Sequence, residues 1–287
     1  AMRRPRVTVA PDPDGAGALV YRATRTSYDG DGNPIMTEQG SVTAPANCSA
    51  ANSFCPTTMT VLAKATTVYD SYGRKIRTDA INVGSSSAEA VTQYSYDSAG
   101  QVECVATRMN VAAYGALPGA CSQSTNGSLG PDRIVRTTYT VNGDPSVLQS
   151  GYGSSLVRNE RTFTYLAPGQ VSTVKDANNN LTTYTYDGFN RLQQTRYPVA
   201  TLGGNASSAT DYEELLYDGS GRISSERRRD GLTVLNTYDN LNRLTFINRP
   251  GSELDVTNGY DNYNNLVSAS QTGAGMGRRH ASHPAHE

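Results

Sequence analysis

Residues 182–198 read TTYTYDGFNRLQQTRYP. The first five residues alternate and are rich in Thr and Tyr, which is the period of two expected of a strand with two distinguishable faces. A turn signal follows at once, then a second polar strand with the same alternation. Read outward from Tyr186, the same pattern of tyrosine, a short turn and an aliphatic recurs along the chain as YDSYGRKI (69–76), YDSAGQV (96–102), YDGSGRI (217–223), YDNLNRL (238–244) and YDNYNNL (260–266). With the weaker copies included, the repeat tyrosines are Tyr28, Tyr69, Tyr96, Tyr139, Tyr165, Tyr186, Tyr217, Tyr238 and Tyr260.

Successive tyrosines are 41, 27, 43, 26, 21, 31, 21 and 22 residues apart, so the unit is about 21 residues and the longer gaps carry insertions, mostly in the first half. Four positions after each tyrosine stands Gly32, Gly73, Gly100, Gly143, Gly169, Asn190, Gly221, Asn242 or Asn264. Only glycine and asparagine appear there, and these are the residues that accept a positive φ most cheaply. A type I turn closed by such a residue connects the strands of a short β-hairpin. Asp70, Asp97, Asp187, Asp218, Asp239 and Asp261 fit the same turn, since a carboxylate there accepts the N–H two residues on.

The expected architecture is all-β: an array of about nine two-stranded antiparallel repeats over residues 21–270, with an N-terminal extension (1–20) and a disordered or non-native tail (271–287). About 18 strands at 4.8 Å give roughly 85 Å of sheet, and a twisted sheet of that width curls into a wall. The structural repeat turns are assigned to Tyr69, Asp70 and Gly73; Tyr96, Asp97 and Gly100; Tyr186, Asp187 and Asn190; Tyr217, Asp218 and Gly221; and Tyr238, Asp239 and Asn242. The stretch from about Val105 to Tyr114 is read as a short helix inside an insertion.

The chain has 287 residues, 18 tyrosines, no tryptophan and a net charge of −1. Without a sustained basic stripe it carries no nucleic-acid footprint. No apolar run approaches the roughly 18 residues of a membrane helix, and residues 1–17 lack a signal-peptide core. Cys48 and Cys55 sit in one Ser/Ala/Thr/Pro-rich insertion, and Cys104 and Cys121 flank another. Pairing of neighbours would staple both loops; free thiols and a metal site are the alternatives, the last disfavoured by ligand gaps wider than those of most zinc knuckles.

Catalytic signatures are absent from the sequence. The histidines, His280, His283 and His286, all lie in the last eight residues, so no Ser- or Cys-based nucleophile in the repeats has a histidine base. Asp29 and Asp31 in DGDGN resemble the opening of a calcium loop, but Pro34 stands where its glycine belongs and Gly40 where its bidentate glutamate belongs, so turn chemistry is the better reading. The aspartates come one per repeat, which is not a paired-carboxylate site. No phosphate-cradling glycine loop occurs. No enzyme, cofactor or metal is expected.

On these units the chain resembles the RHS/YD-repeat family of bacterial polymorphic toxins and related cell-surface proteins, over roughly residues 20–270. The stretch CVATRMNVAAYGALPGACSQSTNGSLGPDRI (104–134) looks like an insertion carried by Gram-negative members. The resemblance implies a β-ribbon that spirals into a hollow shell around a C-terminal toxin. It implies that this chain is a non-enzymatic structural segment of a secreted or cell-surface protein, whose expected partners are the remainder of the shell or the enclosed toxin domain. The alternative it implies is a surface adhesion or carbohydrate-binding module contacting glycans.

Overall fold

The computed structural model describes residues 7–10, 20–42, 59–167, 169–273 and 276–281. The chain divides into two compact units, residues 1–160 and 161–287, where the sequence reads as one array. In the first unit the strands are β1 (Val7–Val9), β2 (Tyr21–Tyr28), β3 (Pro34–Val42), β4 (Thr60–Tyr69), β5 (Lys75–Ile81), β6 (Ala88–Tyr96), β7 (Val102–Arg108), β8 (Arg133–Tyr139) and β9 (Pro145–Ser150). Each pairs antiparallel with the next.

The second unit holds β10 (Arg158–Leu166, which begins just before the division), β11 (Gln170–Asp176), β12 (Leu181–Tyr186), β13 (Leu192–Pro198), β14 (Ser207–Tyr217), β15 (Ile223–Arg227), β16 (Thr233–Tyr238), β17 (Leu244–Asn248), β18 (Asp255–Tyr260), β19 (Leu266–Gly273) and β20 (Met276–Ala281). These too form an antiparallel meander. Nine hairpins carry the repeats, from β2–β3 to β18–β19. Eight end their first strand at the repeat tyrosine and β10 runs one residue past Tyr165, and each register shifts by one residue just before the tyrosine, as between Thr185 and Tyr186 or Thr237 and Tyr238. The shift is the bulge that a left-handed residue closing the turn imposes.

Three sequence readings meet a different structure. Val105–Arg108 belongs to strand β7 and not to a helix; only Val111–Ala113 is helical, a single 3-10 turn capped by the Asn110 side chain. Alternate residues of β7, Cys104, Ala106 and Arg108, are buried on one face, so sheet packing governs the segment. Strands also enter both stretches expected to lie outside the array. β1 pairs with β2 inside residues 1–20, and β20, which includes His280, pairs with β19 inside 271–287. Backbone pairing at a sheet edge asks little of side-chain type, and composition alone hides it. Cys48, Cys55, His283 and His286 lie outside the described residues.

The core is small and sits in the first unit. Cys104, Ala106, Ala120 and Ile134 are buried together, with Cys121 and Tyr152 packed against them. Those residues bring the 109–132 insertion down onto β7 and β8.

Candidate functional site

Each repeat turn is a closed set of bonds. In the turn after Tyr238, Asp239 N–H donates to Arg243 O (3.0 Å) and Asn242 N–H returns to Asp239 O (3.0 Å). The Asp239 carboxylate accepts the N–H groups of Leu241 and Arg243 on Oδ1 and the Arg243 guanidinium on Oδ2 (2.9, 2.9 and 2.7 Å). The Arg243 N–H, and after it the Arg243 guanidinium, hold that carboxyl below its ordinary value. Asp187 is lowered as well, with the Arg191 side chain as the leading cause. The nine closing residues all have positive φ, from 64° at Asn190 to 93° at Gly169. Asp29 makes the same turn, accepting both the N–H and the side-chain amide of Asn33, so its oxygens are committed to the turn.

The tyrosine works between repeats. The hydroxyls of Tyr69, Tyr96, Tyr139, Tyr186, Tyr217, Tyr238 and Tyr260 donate to the carbonyls of Pro34, Lys75, Val102, Val171, Leu192, Ile223 and Leu244. In every case the acceptor lies six positions after the tyrosine of the preceding repeat. The rings are half-buried, and Arg74, Arg191, Arg222 and Arg243 lie over Tyr96, Tyr217, Tyr238 and Tyr260 of the next repeat at 4.1–4.8 Å. Each of those arginines stands five positions after its own repeat tyrosine. Gln101 and Gln170 hold the same position and bond forward to Gly143 O and Asn190 O. That position is a cross-repeat clamp which the sequence reading missed, although the recurring Arg and Gln beside the turn residue were visible in it.

A second constellation was also missed. Arg108 is wholly buried and uses every N–H it has: Nε on Gln93 Oε1 (2.6 Å), Nη1 on Ser122 O and Asp132 Oδ2 (both 2.7 Å), Nη2 on Pro118 O (3.0 Å) and Gly119 O (2.8 Å). Asp132 also accepts the N–H groups of Met109 and Ser124. Burial pushes the Asp132 carboxyl up, yet its hydrogen bonds with Ser124, Met109 and Arg108 outweigh that and hold it below the ordinary value. One guanidinium thus fixes three carbonyls of the insertion to the sheet. Cys104 and Cys121 form a disulfide beside it, across 17 residues. Glu103 approaches the two sulfurs, but both are consumed in the disulfide and cannot serve as thiolate ligands.

Together these bonds position backbone against backbone. They do not present a nucleophile, a base or a carboxylate pair to a substrate.

A family model for the RHS repeat matches residues 165–201, the stretch that holds the Tyr165 and Tyr186 turns with β11, β12 and β13. Over these residues the chain is similar to the RHS repeat. No curated protein matches the chain. Among solved structures, TcdB2-TccC3 without its hypervariable C-terminal region is similar over 89% of this chain and 14% of its own, at 17% identity and a TM-score of 0.40. The Photorhabdus luminescens Tc holotoxin pore with a mutated TccC3 is similar over 91% and 14%, at 18% identity and a TM-score of 0.42. The chain therefore spans about a seventh of the length of the solved chains it matches. Within the matched residues, Gln170 donates forward to Asn190 O and the Tyr186 hydroxyl donates back to Val171 O.

Proposed function

We propose that this chain is a non-enzymatic wall segment of a secreted RHS/YD-repeat protein, and that the wall is part of a shell enclosing a C-terminal toxin. One observation carries the reading: the side chains that recur from repeat to repeat are spent on the neighbouring repeat, seven tyrosine hydroxyls on carbonyls and four arginines on rings. A catalytic or ligand-binding repeat would keep such groups free. Adhesion through a row of repeat tyrosines loses support for the same reason, because their hydroxyls are occupied and their rings half-buried.

Light scattering coupled to small-angle X-ray scattering tests it. A wall segment gives a hollow or edge-paired assembly, since exposed strand edges seek a partner. A compact solid monomer overturns the reading.

A further inference from the structure

The residue three positions after the repeat tyrosine is the tip of each turn. In the second unit the tips after Tyr186, Tyr217, Tyr238 and Tyr260 are Phe189, Ser220, Leu241 and Tyr263. Each tip N–H donates to the turn aspartate at 2.8–2.9 Å, so the backbone is fixed while the side chain faces out. Phe189 is 81% exposed, Leu241 65% and Tyr263 87%. Tips of this kind are ordinarily polar, and Ser220 shows that this turn accepts a polar one.

The tips share one edge. Arg191 reaches the Tyr217 ring, Arg222 reaches Asn242 Oδ1 (2.8 Å) and Arg243 reaches Asn264 Oδ1 (3.2 Å), so consecutive turns touch and stand about 10 Å apart, two strand spacings. Directly behind them runs a collar of ion pairs, Asp187–Arg191, Asp218–Arg222 and Asp239–Arg243. The Arg191 guanidinium lies 5.1 Å from the centre of the Phe189 ring.

We propose that this rim rests on a phospholipid membrane surface, with Phe189, Leu241 and Tyr263 in the boundary between headgroups and acyl chains and the charged collar at headgroup depth. Apolar tips one residue deep with polar groups close behind match the polarity gradient of that boundary, where tyrosine is at home with its hydroxyl in the headgroups. A protein partner fits less well. Three side chains in single file cover about 500 Å² at most, short of the roughly 800 Å² per partner of a stable complex, and Ser220 interrupts the row. A bilayer needs no continuous patch, because lipid surrounds each tip separately. Among the described residues no helix is long and apolar enough to cross a membrane.

Flotation of the whole chain with phosphatidylcholine vesicles tests this. The native chain floats, and the triple variant Phe189→Ser, Leu241→Ser, Tyr263→Ser loses about tenfold or more of its vesicle affinity. Its melting temperature stays, since Ser220 already occupies the equivalent tip. Ser220→Phe strengthens binding. A native chain that stays with the unbound fraction overturns the proposal, as does a triple variant that floats equally. So does a concentration-dependent self-association that only the triple variant loses, which would make the rim a contact between copies. The outcome is independent of the scattering test of the wall reading.

Discussion

The 109–132 insertion of the first unit and the bare repeats of the second hold their sheets in opposite ways. Under the insertion, β7 and β8 bury Cys104, Ala106, Arg108 and Ile134, with a disulfide and an ion pair of 0% and 1% side-chain exposure. Among the described residues of the second unit none is fully buried. Its repeats are joined along the turn edge by tyrosine hydroxyls and forward-reaching Arg or Gln, all partly exposed. Burial concentrates stability in a few irreplaceable contacts, whereas the ladder divides it among many interchangeable ones. An array that must grow by repetition is served by the second solution, and a site where a long loop must be held still is served by the first.

Asp132→Ala should break the comparison most visibly. It leaves Arg108 as a buried charge without its counter-ion, a change that costs on the order of 3–5 kcal/mol. Hydrogen exchange should accelerate in β7 and β8 while β14–β19 hold their rates; equal acceleration in both units would dissolve the contrast. The sign with pH follows from the direction of the shift. The Asp132 carboxyl is held below its ordinary 3.8, so its contribution is complete above that value and is lost as pH falls through the lower folded value. The Asp132→Ala variant should lose that part of the acid sensitivity.

Removing the disulfide by Cys104→Ser with Cys121→Ser should cost about 3 kcal/mol, the loop-closure value for a bridge of this span. Because the Arg108 clamp also holds Pro118, Gly119 and Ser122, the insertion should stay folded, with its amides still protected. Release of the insertion in the double variant would make the disulfide the primary tether and Arg108 the secondary one.

Much of this ladder was legible in the sequence, and the buried clamp was not. A residue that must take positive φ is restricted to Gly or Asn, so a column such as Gly73, Gly100, Asn190 and Asn242 advertises its backbone geometry through residue type alone. Arg108 and Asp132 stand 24 positions apart with no periodic partner. Nothing in RMN or PDR distinguishes a buried guanidinium from the exposed Arg229. The β7 strand was misread for a related reason: VATRMNVAAY suits a helix by composition, and only the insertion folding over Cys104, Ala106 and Arg108 settles it as a strand. The cross-repeat clamp is intermediate. Arg and Gln recur five positions after the tyrosine, but their reach to the next turn depends on register, which the pattern does not give.

Within the repeats, Gly221→Val should destabilise by about 2 kcal/mol more than Ser220→Val, because φ at Gly221 is +83° and a Cβ there would stand 3.2 Å from Arg191 Nη1. Gly100→Val against Ser98→Val asks the same question in the first unit, where φ at Gly100 is +82°. Equal melting temperatures within each pair would sink the turn argument.

The smallest effect is the most diagnostic for the ladder. Tyr238→Phe keeps the ring beneath Arg222 and removes only the hydroxyl on Ile223 O, a loss of about 1 kcal/mol. Because Asn236 Nδ2 also donates to Ile223 O, that carbonyl is not orphaned, and the cost should stay at the low end. Tyr217→Phe removes the hydroxyl from Leu192 O. If each rung acts alone, the two changes should add, since their acceptors belong to different repeats. A double variant that loses clearly less than the sum would mean that neighbouring rungs support one another, since each single change then already forfeits what they share, and the ladder would have the all-or-none character of the buried insertion.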